Sequence, residues 1–239
     1  MGSNYWSWET FADALPFVLQ GLGTLVSVTI LTFLFALVFG FVWVILRRIK
    51  NKQINWIVTW VMEFIRSTPP IVQLFFIYYA WPVMPVIGVT MSGFTSAVIG
   101  LGIHFSTYIG EIYRSGIESV DKGQWEATTA LNISTWDKWR RIILPQAIPP
   151  TIPMLGNYFI ILFKEVPITS TIGVQGILFM ANTYGARNFS FLEPITIVGL
   201  ILLALSYPSA ILIKKLEVRM NTRFDKNAPI KIDKGVTQP

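Results

Sequence analysis

Polar side chains stand out in this 239-residue chain because 53% of its residues are hydrophobic and only 13% are charged. His104, Thr107, Tyr108 and Glu111 recur at i, i+3, i+4 and i+7 inside an apolar run, so they share one face of a helix. Lys164 and Glu165 interrupt a second apolar stretch and are followed by Thr169, Ser170 and Thr171. An unpaired charge in hydrocarbon is costly, so these groups belong against protein or water. They offer hydrogen bonding and ion pairing rather than bond-breaking chemistry. One His and no Cys exclude a disulfide framework, a thiolate zinc site and a Cys nucleophile, and leave any Ser-His-Asp site dependent on His104 alone. Each group also has a structural reading. His104 can serve as an interhelical hydrogen bond, Glu111 with Arg114 as an ion pair at a helix end, and Lys164 with Glu165 as a brace at a helix break.

The elements that must position these residues are membrane spans. Soluble domains carry about 25% charged residues, whereas this chain has a mean hydropathy of +0.55. Its net charge of +6 lies in short segments between long uncharged runs, which points to positive-inside topology and not to nucleic acid. Ala14 to Leu46 is free of charge, well beyond the roughly 20 residues that cross a bilayer. Arg47, Arg48, Lys50 and Lys52 then set that end in the cytoplasm. No Lys or Arg precedes the run and no small-residue cleavage site follows, so an uncleaved first span with its N-terminus outside is expected.

From Ile54 to Arg66, Trp56, Ile57, Trp60, Val61 and Phe64 form one stripe opposite Asn55, Thr59, Glu63 and Arg66. Thr68 is expected to cap a helix starting at Pro69 and running to about Trp81. Pro82, Pro85, Gly88 and Gly93 mark an outer turn before span three, Phe94 to Gly110. Pro145, Pro149, Pro150 and Pro153 lead into a short fourth span, Ile152 to Phe163, which breaks at Lys164, Glu165 and Pro167 before Ile168 to Met180. Pro194 to Ile213 is the last span, stopped by Lys214, Lys215, Arg219 and Arg223. The expected fold is an all-α membrane protein of about five transmembrane helices. Its transmembrane domain covers 1–217, with a cytoplasmic loop at about 118–150, and a tail over 218–239 that is poorly ordered after Phe224.

That loop holds the remaining motif. Arg114 to Arg141 carries nine charges in 28 residues. Glu126 to Leu131 is good helix sequence, Asn132 suits the left-handed conformation that ends a helix, and Ser134 can cap the next helix with Asp137 three positions on. Trp136, Trp139, Ile142 and Ile143 supply an apolar side, and Lys138, Arg140 and Arg141 supply charge. A compact amphipathic knuckle of this kind is what a membrane domain offers to a soluble partner.

Here the chain resembles the permease subunits of ABC importers, whose coupling loop reads Glu-Ala-Ala, then Gly, then Ile-x-Leu-Pro. Glu126, Ala127, Ile142, Leu144 and Pro145 match, Thr128 departs at the third position, and Asn132 stands in for the Gly. Phe64-Ile65-Arg66-Ser67-Thr68-Pro69 and Glu111-Ile112-Tyr113-Arg114 are similar to motifs of the polar amino-acid permeases, a five-span subfamily. Gly123-Gln124-Trp125-Glu126, Leu144 to Pro150, Phe163-Lys164-Glu165 and Leu192-Glu193-Pro194 look closest to its ectoine/hydroxyectoine branch.

The resemblance implies a multi-pass subunit of a bacterial cell membrane that pairs with an identical or homologous permease, two cytoplasmic ATPases and an external solute-binding protein. Glu126, Ala127, Thr128 and Asn132 would then form the coupling helix and its corner. Arg140, Arg141, Leu144 and Pro145 would complete the ATPase-facing segment. The substrate would be a small zwitterion, ectoine or hydroxyectoine first and a polar amino acid such as glutamine, glutamate or arginine second, for which His104, Thr107, Tyr108, Lys164, Glu165, Thr169 and Ser170 are the lining candidates. No Gly-x-x-x-x-Gly-Lys-Ser/Thr cradle is present, so ATP hydrolysis is expected in the partner subunits, with no cofactor or metal in this chain. A stand-alone ion-coupled carrier leaves the knuckle unexplained, and a membrane enzyme has too poor an inventory of catalytic groups.

Overall fold

The computed structural model describes residues 6–225 and, within them, an all-helical chain. Ten α-helices follow in order: α1 Trp8–Leu19, α2 Leu22–Arg47, α3 Lys52–Ser67, α4 Pro70–Phe75, α5 Gly93–Glu118, α6 Lys122–Ala130, α7 Thr135–Asp137, α8 Leu144–Glu165, α9 Ile177–Asn188 and α10 Leu192–Asp225. α7 passes into α8 through the π-helical turn Lys138–Ile143, and α4 runs on through Phe76–Ala80 to Trp81–Val83. α2 and the Leu192–Met220 part of α10 are each long and apolar enough to cross a membrane. The pair Thr135–Ile172 and Ile177–Asn188 passes the same test only when taken together. Its 49° bend falls between Ile172 and Ile177, past the expected Lys164, Glu165 and Pro167, because the chain continues from α8 as the 3-10 turn Val166–Ile172. α10 runs through Glu217 without interruption to Asp225, and residues 226–239 of the expected tail lie outside the described residues.

α2 and α5 form the centre. Their backbones meet where side chains are missing: a Cβ on Gly40 would lie 2.6 Å from Ile109, and one on Gly102 would lie 2.5 Å from the Phe35 ring. Small residues permit this close approach where the hydrophobic effect cannot drive helices together. Leu25, Val28, Ala36, Leu101, Phe105, Ile109 and Leu162 fill the core around this contact. The α3 stripe faces outward, with Trp56, Ile57, Trp60 and Phe64 all more than half exposed, while Val58 and Met62 turn inward. An aromatic face left open in this way suits lipid.

Three local expectations are corrected. The charge-free run Ala14 to Leu46 is two helices and not one, because Gly21 abuts the Gly176 backbone, where a Cβ would come within 2.4 Å, and the chain bends to make that contact. Thr68 ends α3 instead of capping α4, whose own cap is Pro69 with Pro70 as its first residue. The Thr68 hydroxyl donates back to the carbonyls of Phe64 and Ile65 and accepts from Gln73 Nε2 at 2.6 Å. Finally, Pro149, Pro150 and Pro153 lie inside α8 and not ahead of it. The backbone bonds those prolines remove are outweighed by packing on α5, where bare Gly116 lets Thr151 and Ala147 approach to contact distance.

Candidate functional site

The knuckle between α5 and α8 is built by local capping. Asp121 Oδ1 accepts the Gly123 N–H at 2.7 Å and starts α6. At its end Asn132 is left-handed, with φ 50°, and the Ile133 N–H reaches the Thr128 carbonyl at 3.0 Å. Ser134 Oγ accepts the Asp137 N–H at 3.1 Å and donates to Asp137 Oδ2 at 2.8 Å, so Ser134 caps as its sequence implied. Arg141 pairs with Asp137 at 3.0 Å. Underneath, Val120, Ile143 and Ala147 form a small core with Ile117, Trp125, Trp139 and Ile142, in which the two tryptophan rings meet edge to face at 5.5 Å.

The outward face carries Glu126, Ala127, Leu131, Trp136, Arg140, Arg141 and Pro145, all exposed. Leu144 is half-buried. Trp136 is 70% exposed, so it leaves the apolar cluster assigned to it and joins the presented surface. Thr128 is buried with its hydroxyl on the Trp125 carbonyl at 2.7 Å, and supports the knuckle from inside.

Deeper, His104 and Tyr108 come together with their ring centroids 5.4 Å apart, and Tyr158 of α8 joins them 5.6 Å from Tyr108. His104 is buried and hydrogen-bonds the Ile65 backbone, while its Nδ1 has no partner among the described residues. The cause lies in Pro69: lacking an N–H, it cannot take the Ile65 carbonyl, which is met by Gln73 Nε2 at 2.7 Å, by Thr68 and by His104. Thr107 shares the face but is fully buried and donates to its own helix at 2.7 Å.

Glu111 sits at the end of this face as the hub of an ion-pair network. It binds Arg47 of α2 and Arg114 Nε at 2.7 Å, and has Arg66 of α3 at 3.7 Å. Arg66 is also held by Glu63 at 2.6 Å and Arg114 by Glu118 at 2.6 Å.

Lys164, Glu165, Thr169 and Ser170 gather separately at the break after α8. Lys164 is exposed beside Leu202, Leu203, Ser206 and Tyr207 of α10, and Glu165 is half-buried. Thr169 is buried with its hydroxyl on the Val166 carbonyl at 2.8 Å, and Ser170 borders a narrow cleft with Thr24 and Gly176. Six positions separate Tyr158 from Lys164, about 600° of helical rotation, so the two look in different directions and the lining candidates form two groups. Tyr158 and Arg66 were missed as members of the His104 group. Tyr158 stands between Asn157 and Phe159, and no local feature of the sequence marks it for the site.

Residues 36–222 match the family described as "Binding-protein-dependent transport system inner membrane component". The chain belongs to that family. Over 209 residues, covering 87% of this permease and 89% of the relative, it is 39% identical to the "Probable amino-acid ABC transporter permease protein y4tG" of Sinorhizobium fredii. It is 32% identical over 213 residues to the "Glutamine transport system permease protein GlnP" of Escherichia coli, covering 89% of this chain and 97% of that one. A solved structure, "Crystal structure of an amino acid ABC transporter with histidines", superposes with a TM-score of 0.82 at 30% identity, covering 90% of the permease and 99% of that chain. The permease is thus a multi-pass inner-membrane subunit of an ABC importer, a system that includes ATPase subunits and a binding protein.

Proposed function

We propose that the permease carries a small polar amino acid inward, driven by two ATPase subunits that grip the knuckle, beside a second identical or homologous permease and under an external binding protein. The N-terminus faces outside and the C-terminus the cytoplasm. ATP hydrolysis belongs to the partner subunits. The observation that carries this reading is the exposed face of the knuckle. Glu126, Ala127, Trp136, Arg140 and Arg141 stand outside a core that needs none of them, as expected of residues kept for a partner.

His104, Tyr108 and Tyr158, with the Arg66–Glu111 pair beside them, supply aromatic, cationic and anionic groups along one path, as a zwitterion requires. Lys164, Glu165 and Ser170 form a second stretch at the broken helix, where irregular backbone survives because it lines protein or water. Thr107 and Thr169 support these walls through their backbone bonds. The amino-acid names of the relatives favour an amino acid. Ectoine or hydroxyectoine is the second reading, favoured by Gly123-Gln124-Trp125-Glu126 and Leu192-Glu193-Pro194.

Reconstitution of the whole complex tests the proposal. Glu126→Arg with Ala127→Trp should leave assembly measurable and ATP hydrolysis no longer tied to uptake. Unchanged coupling, or uptake by the purified permease without ATPases, would overturn it. Ligand preference of the cognate binding protein decides between amino acid and ectoine.

A further inference from the structure

A cavity of about 490 Å³ opens between the C-terminal end of α2, α3, the last turns of α5 and the start of α6. It lies apart from the His104 group and from the outward face of the knuckle. Its charged lining is Arg47, Arg48, Arg114 and Glu118, three guanidiniums against one carboxylate, and Trp43, Asn55 and Trp125 complete much of the wall. The charges are not equally committed. Arg47 and Arg114 are held by Glu111, and Glu118 is held by Arg114. Arg48 pairs with no carboxylate among the described residues. Its guanidinium lies 4.7 Å over the Trp139 ring and 5.8 Å from that of Trp125.

A stacked guanidinium uses its face and keeps its N–H edge for an acceptor, in the fork geometry that suits phosphate. The site's depth gives a second constraint. α2 has 26 residues, so it is about 39 Å long against a hydrocarbon core of ~30 Å, and Arg47 and Arg48 at its end reach headgroup level.

We infer that this cavity binds a phosphate-bearing anion, with Arg48 as its principal contact and Trp43 and Trp125 as walls. An anionic phospholipid headgroup and a free phosphate share that chemistry. Because Arg48 also rests on Trp139, an occupant ties the end of α2 to the base of the knuckle, independently of which solute the permease carries.

The test uses the purified full-length permease in detergent micelles. The thermal unfolding midpoint is followed while short-chain phosphatidylglycerol, short-chain phosphatidylcholine or inorganic phosphate is added. Saturable stabilisation is expected from phosphatidylglycerol, at an apparent Kd at least tenfold below that of phosphatidylcholine. Arg48→Gln should abolish this preference, and Arg48→Lys, which keeps the charge and loses the fork, should retain part of it. Lys214→Gln, an exposed cation of α10 outside the cavity, should leave it unchanged. Stabilisation by inorganic phosphate that is likewise lost in Arg48→Gln identifies the soluble anion as the occupant. No saturable stabilisation by either anion overturns the inference. So does an Arg48→Gln response equal to wild type, or an equal loss in Lys214→Gln, which would mean diffuse electrostatics.

Discussion

Replacing Glu111 by Gln removes one negative charge and almost no volume from the point where α2, α3 and α5 are tied together. The carboxylate takes Arg47 and Arg114 directly and has Arg66 at 3.7 Å. A hydrogen bond to a charged group contributes about 1.5–3 kcal/mol. Gln keeps one acceptor oxygen and turns an NH2 toward a guanidinium, so one of the two direct bonds is lost and replaced by donor facing donor. The loss is not the full cost of breaking a buried pair, because the Glu111 side chain is 22% exposed and Arg114 and Arg66 retain Glu118 and Glu63. Arg47 alone loses its carboxylate. The net expectation is about 2 kcal/mol, which for a chain of this size lowers the unfolding midpoint by about 4–8 °C. The assay is thermal unfolding of purified Glu111→Gln followed by tryptophan fluorescence. Arg47→Gln and the double variant complete a cycle, in which the double should cost at least about 0.5 kcal/mol less than the summed singles. A midpoint shift below about 1 °C, or strict additivity, would refute the role of Glu111 as a hub.

Other expectations follow from the same geometry. Asn132→Gly should fold and couple like the parent, whereas Asn132→Val, forced into a left-handed conformation, should lose about 1–2 kcal/mol and reduce substrate-stimulated ATP hydrolysis in the reconstituted complex. Gly116→Ala places a Cβ 2.2 Å from Thr151 Cγ2 and 2.7 Å from the Ala147 carbonyl oxygen, so it should cost about 1–3 kcal/mol in thermal unfolding. Adding Thr151→Ser, which deletes the clashing methyl, should recover part of that loss. Glu193 is buried and accepts the Ser7 N–H at 2.8 Å and the Ser190 hydroxyl. Glu193→Ala should therefore free the start of α1, read as faster hydrogen exchange at residues 7–11 with little change in α5.

The corners of the knuckle follow from near neighbours alone. The left-handed Asn132 and the Ser134 cap depend on residues within four positions, and no distant contact competes with them. The α-helix ends at Glu165 for an equally local reason, Pro167, but the chain continues as the 3-10 turn Val166–Ile172 and bends only past left-handed Gly173. Failures came where distant groups decide. Prolines argued against helix at 149–153, yet packing on Gly116 holds the helix there. Thr68 looked like an N-cap because Pro69 follows it. The unmet Ile65 carbonyl, reached by Gln73 and by His104 of another helix, makes that segment an end and a junction instead. Tyr158 is unremarkable in sequence because its partner Tyr108 is fifty residues away.

The sequence by itself determined that this is an all-α membrane permease with a knuckle of defined corners. Apolar run length, charge placement and capping act over one or two helical turns, and the Glu126 to Pro145 motif carries the family. Only the tertiary structure decided which polar residues meet. Ion pairs and ring contacts join side chains from helices far apart in sequence, and their geometry depends on how closely those helices pack. The approach of α2 to α5 through Gly40 and Gly102 fixes that spacing. It gathers Glu111 with three arginines, joins His104 to the Pro69 break, sends Lys164 to another face, and leaves Arg48 stacked on two tryptophans beside an open cavity.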